Sequence, residues 1–434
     1  MGGALWLMSR KSTKEVRKRD GFLIVALGWV SMSLFGSLPF ILSGAIPGFT
    51  NAFFETISGF TTTGATILTD IEAMPNGLLF WRSMTHWIGG MGIIVLAVAI
   101  LPLLGVGGMQ LFVAEAPGVT PDKLHPRITE TAKRLWFLYF SLTIVEAALL
   151  KVAGMGYFDA VNHAMSTMAT GGFSTKNASI AHYSEPAIHY IITLFMLFAG
   201  TNFTLLFFGF TGRVKQVFKN EEFRTYALNL LILGGIASIG LYLYGGYGLE
   251  PAIRSAFFQI VSINTTTGFI TDNYLVWPNF LMFLIFALFF SGGSTGSTAG
   301  GIKMMRLIVL IKNSFLELKR QFHPTAVIPV RFNGQAVPQN ITNNIAAFVL
   351  IYLIVFFVGS IIMSLMGLDF MTAVGSVTAT LGNIGPGIGA VGPINNFNHL
   401  PMPAKWFLSF LMLLGRLELF TVLILFMPQF WRNR

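Results

Sequence analysis

Apolar stretches long enough to cross a bilayer recur along the whole chain, and between them lie shorter apolar stretches that each end in a small or hydroxyl residue and a glycine. A crossing helix needs about 20 predominantly apolar residues. Stretches of that length fall at 22–42, 133–153, 225–245 and 341–366. Each is followed by a segment too short to cross, at 51–61, 157–168, 252–264 and 369–379, suited to a half-helix that enters the membrane and turns back. A polar linker and a second long apolar stretch come next, at 78–104, 186–210, 277–320 and 404–428. The pattern predicts an all-α polytopic membrane protein with eight spanning helices and four re-entrant loops.

The units share more than hydropathy. "SGFTTTGATI" at 58–67 and "SINTTTGFIT" at 262–271 align on Gly64 and Gly268, which also matches Phe54 with Phe258 and Ser58 with Ser262. The same context gives "HAMSTMATGGFST" with Gly171 and "VGSVTATLGNIGPG" with Gly382, so the glycines lie 107, 97 and 114 residues apart. Since each unit crosses twice, all four share one orientation. Parallel helix–loop–helix units then surround one central pore with pseudo-fourfold symmetry, unlike the inverted repeats of many secondary transporters.

Composition agrees with this reading. Of 434 residues 54% are hydrophobic and 11% charged, with mean hydropathy +0.68, too little charge for a water-soluble surface. The absence of cysteine excludes disulfides, thiolate metal sites and cysteine nucleophiles. A net charge of +10 raises nucleic acid as a partner, and the placement of the charge argues against it. The N-terminus, 105–134, 211–224, 303–331 and the last three residues hold 22 of the 28 lysines and arginines. The segments around 43–77, 154–185, 246–276 and 367–405 hold few bases and eight of the 18 acids. This is the positive-inside asymmetry of a plasma-membrane protein, with both termini in the cytoplasm and the re-entrant loops meeting on the far side. The first 21 residues lack the apolar core of a signal peptide; Arg10, Lys11, Lys14, Arg17, Lys18 and Arg19 form a basic juxtamembrane block instead. The chain thus divides into a basic N-terminus at 1–21, pore units at 22–104, 133–210, 225–320 and 341–428, and cytoplasmic linkers at 105–132, 211–224 and 321–340.

Irregular backbone survives at membrane depth only where protein or a water-filled cavity satisfies it. Glycine lets a short stretch turn its carbonyls toward an axis, and four such loops supply rings of oxygens that can replace the hydration shell of a cation. A single glycine in a membrane helix ordinarily marks close helix packing. Its recurrence in register in all four units points to ion coordination instead.

The stretches "FFETISGFTTTGATIL", "HWIGGMGIIVLAVAILPLLGVGGMQLFVAEAPG", "FFSGGSTGSTAGGIK" and "NIGPG" resemble the Trk/Ktr/HKT superfamily of potassium transporters, closest to its bacterial TrkH branch, over nearly the whole chain. The resemblance implies one filter glycine per unit, here Gly64, Gly171, Gly268 and Gly382, and potassium as the permeant ion because glycine stands at the first position. It further implies that the carbonyls of Thr62, Thr63, Ala169, Thr170, Thr266, Thr267, Thr380 and Leu381 line the potassium sites. Leu381, where the other three loops have threonine, makes the fourth quarter chemically different. The resemblance also implies two extra helices before the first unit, whereas this chain begins with "MGGALWLMSR" ahead of the basic block. A homodimer with one pore per protomer and a cytosolic nucleotide-binding ring subunit are the partners it implies. The basic linkers at 211–224 and 303–331 suit such a ring, and membrane lipid headgroups would favour the same charges. No organic cofactor is expected.

Two features bear on gating. "SGGSTGSTAGG" at 291–301 interrupts the second helix of unit three. It lacks the Gly-Lys-Ser/Thr ending of a phosphate-binding loop. Gly292, Gly293, Gly296, Gly300 and Gly301 permit rearrangement while Ser294, Thr295, Ser297 and Thr298 can satisfy freed carbonyls, so the segment reads as an intramembrane gating loop, with a static kink as the alternative. Lys303 is expected to snorkel to the cytoplasm rather than pair with the loop. Arg416, inside the last apolar stretch, reads as a positive barrier in the ion path or as the partner of an acid such as Glu418. The histidines have no ligand spacing, His163 being placed to pack a half-helix, and no nucleophile, acid and base come together, so catalysis is not expected. Taken with the resemblance, the sequence is expected to encode potassium uptake across a bacterial inner membrane through a gated, selective pore. An ion-coupled symporter and a non-conducting scaffold are the readings to be distinguished from it.

Overall fold

The computed structural model describes residues 18–95, 124–322 and 328–432. Most of the basic N-terminal block, positions 96–104 of the first unit, 105–123 of the first linker and 323–327 of the third lie outside the described residues.

The chain is a helical membrane protein in which each unit has a leading helix, a short helix and a trailing helix. Leading helices run over Lys18–Gly36 continued by Leu38–Leu42, Leu124–Val152, Glu221–Tyr244 and Gln339–Leu365. All four are long and apolar enough to cross a membrane, and only about a third of each apolar window is buried, as expected of helices whose outer face meets lipid. The short helices Phe49–Phe60, Tyr157–Met168, Leu249–Asn264 and Phe370–Leu381 are almost wholly buried toward their C-terminal ends. Asp369 caps the fourth by accepting a hydrogen bond from the Thr372 amide.

Packing follows a cyclic rule. Each short helix lies against its own leading helix. The trailing helix of unit one packs on the short helix of unit two, that of unit two on unit three, and that of unit four on unit one. At the remaining seam, Asn279–Leu288 and Phe370–Leu381 line an apolar groove of about 880 Å³.

The trailing helices depart from the sequence expectation. Only Asn76–Val95 runs unbroken within the described residues. The expected continuous helix at 186–210 divides into Pro186–Ala199 and Phe203–Phe210, which meet at 111°. Asn202 starts the second piece by accepting from the Thr204 amide at 2.8 Å, while the Gly200 carbonyl turns away to accept from Ser294. The stretch 404–428 likewise breaks after Arg416, with a 114° bend before Phe420 and left-handed backbone at Glu418. In unit three, Asn279–Leu288 ends before the glycine-rich loop and Met304–Phe322 follows it. Hydropathy misses the first two breaks because Gly-Thr-Asn and Leu-Glu-Leu leave the apolar average nearly unchanged.

One small exception to the all-helical expectation occurs in the linker before unit four. Arg331–Phe332 pairs with Gln335–Ala336 around Asn333 and Gly334, both left-handed, the usual chemistry of a two-residue hairpin.

Candidate functional site

The four short helices end identically at the level of hydrogen bonds. In unit one the Thr61 amide donates to Ile57, Thr62 to Gly59 and Thr63 to Ser58, at 2.8, 2.9 and 2.8 Å. The same three-bond pattern recurs at Ala169, Thr170 and Gly171, at Thr265, Thr266 and Thr267, and at Gly382, Asn383 and Ile384. Its middle member is left-handed every time: Thr62, Thr170, Thr266 and Asn383 have φ of 50°, 53°, 56° and 53°. Two residues later comes a left-handed glycine, Gly64, Gly172, Gly268 or Gly385, with φ of 81°, 78°, 77° and 101°.

This register corrects the sequence alignment in two units. In unit two the glycine equivalent to Gly64 is Gly172, and Gly171 takes the place of Thr63. In unit four the equivalent is Gly385, whereas Gly382 caps the short helix with φ −78°. Thr380 and Leu381 remain helical, and the Thr380 hydroxyl donates back to Ser376 at 2.7 Å. Ala169 is likewise a helix cap. The chemical difference of the fourth loop therefore lies in Asn383 and Ile384, not in Leu381. Both loops offer more than one glycine, and spacing alone cannot choose; backbone handedness can.

The corrected glycines close a ring. A Cβ on Gly64 would strike the Gly171 carbonyl, one on Gly172 the Thr267 carbonyl, and one on Gly268 the Ile384 carbonyl. One on Gly385 would lie 2.7 Å from the Thr63 carbonyl, returning to unit one. Each glycine thus lies against the carbonyl that precedes the next unit's glycine. All four line a cavity of about 80 Å³. A side chain at any of them meets backbone, which cannot retreat.

Buried polar contacts hold the ring. Glu55 accepts from Arg82 at 2.7 Å, from the Thr66 hydroxyl at 2.9 Å and from the Ile67 amide at 2.9 Å. Arg82 also donates to the Ser174 carbonyl at 2.9 Å and lies 3.5 Å over the Phe173 ring. This pair ties the segments beyond the first two glycines together. Without it each charge would face a desolvation cost that a single hydrogen bond does not offset. At the seam between units four and one, the Asn383 side-chain amide donates to the Thr63 hydroxyl and to the Met412 carbonyl, both at 2.9 Å. His86 stacks on Phe173 with 3.9 Å between centroids, and its ring underlies Gly171. His163 bonds the Asp159 carbonyl at 2.7 Å and the Ser174 hydroxyl at 2.8 Å, which makes it a packing residue.

The glycine-rich segment lies against the inner side of these loops. The Gly300 amide donates to the Thr266 hydroxyl at 2.6 Å, and Gly300 abuts the Gly382 carbonyl. The Thr298 hydroxyl donates to the Met168 and Ala199 carbonyls at 3.0 and 3.1 Å, and the Ser294 amide to Gly200 at 2.8 Å. Ser297 bonds within the loop, while the side-chain oxygens of Ser294 and Thr295 are buried without a partner. Gly296 is left-handed and accepts from the Phe203 amide; Gly293 accepts from Met304, and Gly292 and Gly301 pack against one another.

Two basic residues differ from expectation. Lys303 is buried and its ammonium bonds the Ala299 carbonyl, so it pairs with the loop instead of snorkelling. Arg416 ends its helix and donates to Thr298 in the loop at 2.6 Å and to Gly89 in unit one at 3.2 Å. Glu418 pairs with Arg306, not with Arg416. Lys303, Arg306, Arg416 and Glu418 share the lining of a cavity of about 20 Å³.

The chain has known relatives. The profile of the TrkH family, described as a cation transport protein, matches residues 1–433. The chain belongs to the TrkH family. It is 46% identical to the Trk system potassium uptake protein TrkH of Escherichia coli K12, over all of this chain and 90% of that one. Identity to the Trk system potassium uptake protein TrkG of the same organism is 37%, with the same coverage. The crystal structure of the potassium transporter TrkH from Vibrio parahaemolyticus superimposes with a TM-score of 0.91 at 42% identity, covering 99% of this chain and 90% of the other. The chain is accordingly a transport protein and not an enzyme.

Sequence reasoning missed Glu55, Arg82 and Asn383. The first two carried a usable signal, since an isolated charge inside an apolar segment calls for a partner. Asn383 had none, because asparagine is common at turns of every kind.

Proposed function

We propose that the chain takes up potassium across the bacterial inner membrane through a selective, gated pore formed by four parallel units with eight crossings. The observation that carries this reading is the closed ring of Gly64, Gly172, Gly268 and Gly385, each against a neighbouring unit's carbonyl. Rings of backbone oxygens at the ends of half-helices replace the hydration shell of a monovalent cation, and the negative ends of those helices favour it. The carbonyls of Thr62, Thr63, Thr170, Gly171, Thr266, Thr267, Asn383 and Ile384 would supply the oxygens. Potassium is the assigned ion because the curated relatives carry it in their names and Gly64 stands at the first position.

The loop at 291–301 closes the path beneath the filter and Arg416 sets a positive barrier there. Both termini and the basic linkers face the cytoplasm, where a nucleotide-binding ring regulates the loop, and two copies pair as a homodimer with separate pores. Current through purified protein in planar bilayers tests the function. Reversal potentials that follow potassium alone, while sodium and pH are varied, support a channel. A shift with sodium or pH would make it a coupled symporter, and absence of current would leave a scaffold.

A further inference from the structure

Lys176 lines the cavity above the four left-handed glycines, together with Arg82. Arg82 is neutralised by Glu55 in direct contact. Lys176 is held differently: its ammonium sits between two carboxylates, 3.8 Å from Glu72 and 3.9 Å from Asp159. The other oxygen of each acid is engaged elsewhere. Glu72 accepts from the Asn177 amide at 3.2 Å and Asp159 from the Thr175 hydroxyl at 2.6 Å. One oxygen from unit one and one from unit two therefore converge on a single cationic centre. All three side chains keep partial contact with solvent.

We propose that Lys176 is a specificity-determining residue, a tethered cation that keeps divalent ions from lodging between Glu72 and Asp159 at the mouth of the pathway. This rests on the pore reading above. Two carboxylates facing one point in a partly wet site are ligands a calcium or manganese ion accepts, with waters completing its shell. Such an ion would place two positive charges beside the entrance, where one ammonium stood, and repel the arriving monovalent cation. A lysine ammonium balances the same carboxylates with one charge and stays attached. It cannot be exchanged for a bath ion while its stem is intact. Arginine would preserve the effect; methionine, similar in length and uncharged, would remove it.

Two measurements on the full chain decide the matter. In the first, free Mn²⁺ is followed by electron paramagnetic resonance during titration of detergent-purified protein. Lys176→Met is expected to bind about one Mn²⁺ more per chain than wild type in the millimolar range, and Lys176→Met/Asp159→Asn to lose it again. In the second, rubidium uptake into proteoliposomes is measured with and without external calcium. Wild type and Lys176→Arg should be indifferent to calcium, and Lys176→Met should slow about fivefold at calcium several times the dissociation constant. No additional Mn²⁺ in Lys176→Met, or uptake by that variant indifferent to calcium, overturns the inference. Wild-type liposomes that pass no rubidium would instead defeat the pore reading, while the Mn²⁺ titration still decides whether lysine excludes a divalent ion from this pair.

Discussion

The ring of glycines and the loop beneath it are built on opposite plans. The ring repeats one arrangement four times: the same three backbone hydrogen bonds, the same left-handed residue, and a glycine against the next unit. The loop at 291–301 occurs in one unit only and reaches directly into two others, through Ala199 and Gly200 in unit two and Gly382 and Arg416 in unit four; Arg416 in turn holds Gly89 of unit one. Ion coordination needs oxygens on all sides and so favours repetition. A gate, the role proposed for the loop, needs one element that can leave, and so favours asymmetry. The side chains follow the same division. Threonine hydroxyls pair at 2.8 Å in units one and three, Thr61 with Thr63 and Thr265 with Thr267, while units two and four reach the same backbone with other residues.

The contrast can be broken from either side. Gly268→Asp or Gly64→Asp should abolish rubidium uptake, since the new side chain would displace a neighbouring carbonyl; retained uptake in both would show that the ring does not carry the ion. Deletion of several residues within 292–300 should raise flux severalfold without changing the preference for potassium over sodium. Unchanged flux would make the segment a static kink. Arg416→Ala should give a smaller rise, measured as single-channel conductance, because Lys303 and Arg306 keep the cavity positive. Glu55→Gln leaves Arg82 buried against a neutral partner and should destabilise the protein by about 3 kcal/mol, read as a lower unfolding midpoint in detergent. These effects pass from loss of function, through altered gating, to loss of stability.

How much of this was legible in the sequence depends on which physical signal was read. Helix length against bilayer thickness marks the leading helices directly, because no tertiary contact needs to be known. The Thr-Thr-Thr-Gly loops of units one and three also align without a structure. The other two loops do not, since "TGG" and "LGNIGPG" offer competing glycines and only handedness separates them. The breaks at Gly200 and Leu417 depend on what docks there: loop amides in one case, the Arg306–Glu418 pair in the other. Lys303 illustrates the same limit. A lysine near a helix end ordinarily reaches water, and only the neighbouring Ala299 carbonyl and the buried setting retain it.

The closed ring in its corrected register is the central claim, and unit four tests it best because two glycines compete for one role. Gly385 is left-handed and faces the Thr63 carbonyl, while Gly382 is right-handed at the helix end. Rubidium uptake by Gly385→Ala and Gly382→Ala, measured side by side in proteoliposomes at equal protein content, separates them. Uptake at background for Gly385→Ala with a measurable remainder for Gly382→Ala is the predicted result. Normal uptake by Gly385→Ala, with loss in Gly382→Ala, would contradict the ring.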